Sequence, residues 1–260
     1  LSESTREIQL NITVYDSNGF GDITDNSVNI NFTNSGITRA NTSCTQIIDF
    51  ATDYANYSCK VNMWYFDSVG KWNITAYAED SYGEKASNIT TSFSYNQLQS
   101  IKINPKSLTW ISLIQGATNQ TPTASIIVNN TGNYNSSGKV AVNAINLHGQ
   151  TTTSEFINVK NFTVDFDTGG SPPNECNGTL LTNGTDITLT WSVLERGNLS
   201  ASQAQEQLYY CINIVPKSIS SQTYSTLNAG SWTIKILLAL VFIPRKKKKK
   251  LAKVDRLMKA

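Results

Sequence analysis

The chain has 260 residues, enough for one large domain or two of ordinary size. Its formal charge of +2 averages two unlike parts: residues 1–234 hold eleven basic and eighteen acidic side chains, whereas residues 245–260 hold nine basic and one acidic. The net-acidic body excludes a nucleic-acid-binding face. The basic stretch adjoins the most apolar run of the chain, which points to a membrane instead.

Strict alternation starts near the N-terminus. In residues 7–15, Ile8, Leu10, Ile12 and Val14 face one way, and Gln9, Asn11 and Thr13 the other. Residues 27–33 repeat the pattern with Val28, Ile30 and Phe32, and residues 71–80 with Trp72, Ile74, Ala76 and Ala78. These are half-buried strands. The turns Asp16–Gly19, Asn34–Gly36, Asp67–Gly70 and Asp80–Gly83 separate them, and such spacing predicts an antiparallel sandwich with Trp72 or Trp64 as its main core aromatic. A polar break over 94–107 divides this set from a second one. The second set comprises candidate strands at 107–113, 123–130, 138–145, 161–166, 186–193 and 207–215, with room for one helical turn in 198–208. The resulting fold class is all-β. The expected organisation is a sandwich over 1–98, a linker over 99–106, a second sandwich over 107–216, a polar stalk over 217–230, a short transmembrane helix over 231–244 and a basic cytoplasmic tail over 245–260.

The helix rests on the neighbours of the apolar run. Thirteen residues reach about 20 Å as a helix and a bilayer core needs about 30 Å. The run Ser231–Ile243 is therefore short, and Lys235 interrupts it. Trp232 suits the outer interface, Leu237, Leu238, Leu240 and Phe242 supply the apolar length, and Pro244 ends the helix. Arg245, Lys246, Lys247, Lys248, Lys249 and Lys250 then form a stop-transfer cluster, with Lys235 snorkelling to the headgroups. This topology places residues 1–230 outside the cell and makes membrane lipid the first expected partner. The chain begins at Leu1 without a methionine or a signal peptide, the mark of a processed product or a piece of something longer.

Two features agree with an extracellular location. Thirteen Asn-x-Ser/Thr acceptors occur, at Asn11, Asn31, Asn41, Asn56, Asn73, Asn88, Asn119, Asn129, Asn135, Asn161, Asn177, Asn183 and Asn198, and none lies in the basic tail. The four cysteines, Cys44, Cys59, Cys176 and Cys211, suit two disulfides. The pairs Cys44–Cys59 and Cys176–Cys211 keep each bridge inside one expected domain. A zinc site is disfavoured, since no C-x-x-C spacing exists and His148 is the sole histidine.

Residues 66–88, with the run Gly70-Lys71-Trp72-Asn73-Ile74-Thr75 leading to the turn Asp80–Gly83, resemble the closing hairpin of Ig-like modules in archaeal cell-surface proteins. Residues 108–133, with their Val-Asn-Asn-Thr-Gly-Asn turn, are similar to the opening of sandwich modules in such proteins. The ending 237–250 resembles their membrane anchor. The resemblance implies tandem Ig-like sandwiches with a surface role and carries over no catalytic residue.

Chemistry is sparse. His148 lies in an expected turn, and no G-x-S-x-G elbow accompanies it. The carboxylate pairs Glu79/Asp80 and Asp165/Asp167 sit at strand ends, where acids serve local backbone needs. Calcium is the only cofactor with a candidate site: Asp16, Asn18, Asp22 and Asp25 fall within ten residues, although Phe20 occupies a ligand slot of the EF-hand spacing. Carbohydrate binding would use exposed aromatics among Tyr54, Tyr57, Trp64, Tyr65, Tyr82 and Trp110. The expected function is a membrane-anchored surface protein with a structural or adhesive role, and not an enzyme. A receptor module for a glycan or another surface protein is the alternative. A carbohydrate-active or hydrolytic enzyme ranks third.

Overall fold

The computed structural model describes residues 4–166, 176–198, 204–227 and 229–237. Seven strands form the first module: β1 (Thr5–Tyr15), β2 (Asn29–Asn34), β3 (Ile37–Asn41), β4 (Thr45–Phe50), β5 (Tyr54–Trp64), β6 (Gly70–Glu79) and β7 (Lys85–Tyr95). They make two antiparallel sheets, β1-β5-β4 and β3-β2-β6-β7. Alternation decides which faces meet. Tyr57, Cys59, Val61 and Met63 of β5 point inward against Ile30 and Phe32 of β2 and Trp72 and Ile74 of β6, and all are buried. Trp72 is fully covered, and its indole N–H donates to the Ser68 carbonyl at 2.8 Å, so its one polar atom is satisfied inside the core. Trp64 is 36% exposed.

The second module contains β8 (Ile101–Asn104), β9 (Thr118–Gln120), β10 (Ile126–Asn130), β11 (Val140–Asn143), β12 (Leu147–Gly149), β13 (Phe156–Ile157), β14 (Phe162–Phe166), β15 (Thr179–Leu180), β16 (Asp186–Leu189), β17 (Gln205–Ile214), β18 (Tyr224–Ser225) and β19 (Thr233–Ile236). The largest sheet runs β15-β14-β17-β10-β8, with β9 also on β17, and smaller sheets run β16-β11-β19 and β13-β12-β18. Val128, Val140, Val142, Phe162, Val164, Leu189, Leu208 and Ile212 share one core. Trp232 caps it, edge-on to Phe162 with ring centres 5.1 Å apart. Residues 107–113, expected as a strand, are irregular, yet Trp110 still lies against Phe162 at 5.5 Å.

Three boundaries differ from expectation. The first is the tail. Residues 231–237 do not begin a helix: β19 pairs with β11 in register Val140↔Ile236 and Val142↔Ile234, and Lys235 pairs with Asp186. The Trp232 indole donates to Ile145 O at 2.8 Å, and its ring packs partly buried against the second core. Ile234 and Ile236 alternate with Thr233 and Lys235, which is strand periodicity. The rest of the expected helix, 238–244, and the tail, 245–260, lie outside the described residues. Among the described residues no helix is long and apolar enough to cross a membrane.

The second difference concerns 217–230, which is fastened to the second module and does not stand free as a stalk. β18 pairs with β12, and the Glu155 carboxylate accepts from Ser220 N, Ser220 Oγ, Gln222 Nε2 and Tyr224 Oη at 2.7–3.0 Å.

The third is the junction. Of the expected linker 99–106, Ile101–Asn104 is strand β8, paired with β10. The residues before it are strapped down. Asn133 accepts from Leu98 N at 2.6 Å, donates its own backbone N–H to Leu98 O at 3.0 Å, and donates its amide to Asn96 O at 3.0 Å. Thr131 bonds Ser100 through backbone and hydroxyl. Asn130, Thr131 and Asn133 are all buried. A Cβ on Gly132 would stand 2.2 Å from Leu98 O, so only glycine lets the two backbones meet here. From the other side, Arg196 of the second module donates to Phe66 O and Ser68 Oγ of the first.

Candidate functional site

The most developed exposed constellation lies on the outward face of β1-β5-β4. Inward residues of β5 are odd-numbered, so the even ones face solvent. Register places Tyr15 opposite Tyr54 and Phe50 opposite Tyr54. The three rings form a row, with ring centres 5.0 Å apart for Tyr15–Tyr54 and 5.2 Å for Phe50–Tyr54, the latter stacked. Tyr15 is 57% exposed and Phe50 42%. Such exposure is costly for aromatic rings, and a contiguous apolar row is informative where a lone one is not.

Polar side chains extend the same face. Gln9 donates to Ser58 and Thr13 to Asn56, each at 2.7 Å, and Lys60 pairs with Glu7 at 3.1 Å. The surface thus joins an aromatic strip, stacked at Phe50–Tyr54 and tilted by 46° at Tyr15, to amides and hydroxyls with spare hydrogen-bonding capacity. That combination can stack on the apolar face of a sugar ring and bond its hydroxyls.

The second feature is a cleft of about 340 Å³ above the Cys176–Cys211 bridge, bordered by Asp165, Tyr209, Tyr210 and Pro122. Burial raises the pKa of the Asp165 carboxyl, and the Phe166 backbone N–H partly offsets this. Burial also raises that of the Tyr210 hydroxyl.

The residues singled out in the sequence are distributed as follows. The four calcium candidates do not converge: Asp16 caps its own turn through Asn18 N, and Asp25 accepts from the Tyr57 hydroxyl at 2.6 Å. The Asp22 carbonyl, in a single 3₁₀ turn at Phe20–Asp22, accepts from Ser81 N at 2.7 Å. Among the described residues no three His, Cys, Asp or Glu side chains gather as a cation site would need. His148 belongs to β12 and not to a turn; its Nδ1 lies 3.0 Å from Thr153 O, which makes it the protonated nitrogen, since a carbonyl only accepts. Glu79 accepts from Tyr77 Oη and pairs with Lys85, while Asp80 caps the turn to Glu84. Asp167 lies outside the described residues.

Among the aromatic candidates, Tyr57 is buried, Trp110 is partly buried and Tyr82 is 76% exposed but outside the row. Only Tyr54 belongs to the row. The sequence does not mark Tyr15 and Phe50, because only the pairing of β1 and β4 with β5 brings them onto one rung with Tyr54. The disulfides are Cys44–Cys59 and Cys176–Cys211, with Cα separations of 4.5 and 5.4 Å, the pairing expected from the sequence. Asn11, Asn73, Asn88, Asn119, Asn135, Asn177 and Asn183 are exposed; Asn31, Asn41, Asn56, Asn161 and Asn198 are half-buried. Asn129 is also half-buried, and its side-chain oxygen is enclosed without a partner.

Comparison with protein families, with curated proteins and with solved structures returned no match.

Proposed function

We propose that the protein is an extracellular pair of Ig-like sandwiches with a structural or adhesive role at a cell surface. The observation that carries this reading is the strapped junction. A loose tether lets one module turn freely against the next, whereas a strapped junction fixes their relative orientation. Here Asn133, Thr131 and Arg196 tie the modules through side chains as well as backbone. Two disulfides support the location, because such bridges persist in oxidising compartments. Exposed sequons and the resemblance of residues 66–88 and 108–133 to archaeal surface modules support it further. The reading is of a scaffold and not of an enzyme. Its basic C-terminal stretch holds it against membrane lipid, and its partners are other surface proteins or glycans. Labelling of intact source cells with a membrane-impermeant biotin reagent is expected to modify Lys60 and Lys85 on the body. Labelling only after lysis would overturn the reading.

The aromatic row favours a second role, as a receptor for a glycan. On an oligosaccharide array the protein would then retain a subset of sugars, and Tyr15→Ala with Phe50→Ala would abolish retention. An array on which the unmodified protein retains nothing would remove this reading.

A further inference from the structure

Two strands leave the sheet β16-β11-β19 at the same end. Both run antiparallel to β11 and are therefore parallel to each other, and Val140 stands between Leu189 on one side and Ile236 on the other. Beyond that rung β16 leads to Trp191 and Val193. β19 leads to Leu237, whose amide donates to Lys139 O at 2.8 Å. Trp191 is 72% exposed and Val193 67%, while Ser192 and Leu194 between and after them are buried. Alternation thus turns two large apolar side chains outward side by side. A fully solvated tryptophan beside a valine marks a contact surface more often than a bare one.

The sequence supplies the occupant. After Leu237 it reads six apolar residues, Leu238–Ile243, then Pro244 and six cations, Arg245–Lys250. Six residues would reach about 9 Å as a helix, against about 30 Å for a bilayer core, a length that suits insertion to headgroup depth. Apolar residues next to a polybasic cluster suit a one-leaflet attachment to an anionic surface. Trp191 and Val193 lie at the end of the module from which this stretch departs. The ionic groups nearby are mostly held: Lys139 by Tyr134, Arg196 by the first module, and the buried Glu206 carboxylate by the Val193 amide at 3.0–3.1 Å, while Glu195 is exposed.

We infer that this end of the second module is a lipid-contact surface, with Trp191 and Val193 entering the headgroup boundary of an anionic bilayer while Arg245–Lys250 engage its phosphates. Tryptophan is favoured at that depth because its ring is apolar and its N–H stays hydrated. The inference rests on the surface location proposed above, and it makes the folded module, not the tail alone, part of the attachment.

Co-sedimentation of the full chain with vesicles tests it. Binding is expected to vesicles of phosphatidylcholine mixed with phosphatidylserine and not to phosphatidylcholine alone. Replacing Lys246–Lys250 by Gln should abolish this preference. The double variant Trp191→Ser, Val193→Ser should fold as the parent does, since both side chains are exposed, and bind mixed vesicles about tenfold more weakly, as partial burial of the two side chains would give. Brominated lipids should quench a tryptophan signal that Trp191→Phe removes. Binding of the double variant within about twofold of the parent would overturn the inference and leave the surface location standing. Failure of the parent to bind either vesicle would remove both the inference and the lipid attachment.

Discussion

Asn133 and Leu98 hold each other twice: Asn133 accepts from the Leu98 amide at 2.6 Å and its own amide donates to Leu98 O at 3.0 Å. The side chain of a turn in one module thereby takes the place of a strand partner for the segment leaving the other. The Asn133→Ala variant leaves Leu98 N and Asn96 O without their acceptor and donor. We expect it to cost about 1–3 kcal/mol in the second module, read as a lower urea midpoint by tryptophan fluorescence. Gly132→Ala should do more harm, because its Cβ would collide with Leu98 O.

Asp67 is fully buried and accepts from Arg39 Nε at 3.1 Å through both oxygens and from Trp64 N at 2.7 Å. It links β3 to the turn that Arg196 reaches across the junction. Asp67→Ala leaves the largely buried Arg39 guanidinium uncompensated, and a loss of about 3–5 kcal/mol is expected. Replacing both Asp67 and Arg39 with apolar residues should recover part of it, measured by the same denaturation.

Strands β1 and β2 of the first module were legible because their apolar residues are strong and strictly alternate, as Ile8–Val14 and Val28–Phe32 do. Strand β5 alternates as cleanly but writes its inner face in Ala55, Tyr57, Cys59 and Met63, residues that a hydropathy pattern underweights. Residues 233–236 misled for the opposite reason. Ile234 and Ile236 carry a two-residue period, but the unbroken apolar sequence after them hides it. The fastening of 217–230 to Glu155 and the aromatic row were not legible at all. Glu155 meets Ser220–Tyr224, and Tyr15 meets Tyr54, across dozens of positions through pairings that no local pattern encodes.

The Glu155 network predicts a pH response. Hydrogen bonds from the Ser220 hydroxyl and amide, then from Tyr224 and Gln222, lower its carboxyl pKa to about 2. A carboxyl depressed in the folded state stabilises above its unfolded pKa, near 4.3, and the contribution is lost as pH falls toward the folded value. Protection of the amides in 218–224, taken relative to their intrinsic exchange rate at each pH, should therefore stay high down to about pH 4 and fall between about pH 4 and 2. Glu155→Gln should remove that acid-dependent step. Equal protection at both ends of the range would show that the network does not fasten this segment.

The two bridges close loops of 15 and 35 residues, and loop entropy sets their contributions at about 3 and 4 kcal/mol. Cys44 and Cys59 are buried, so reductant without denaturant should leave that bridge intact. After reduction in urea and refolding, a lowered midpoint for both modules is expected by calorimetry.

The central claim is that the two modules form one rigid unit through the Asn133 strap and the Arg196 bridge, as a structural or adhesive role requires. Nitrogen-15 relaxation of the whole chain tests this most directly. One rotational correlation time shared by amides of β2, β5 and β6 and by amides of β10, β14 and β17 is the predicted result, with the two sets separating in the Asn133→Ala variant. Two distinct and shorter times in the unmodified protein, one for each module, would contradict it.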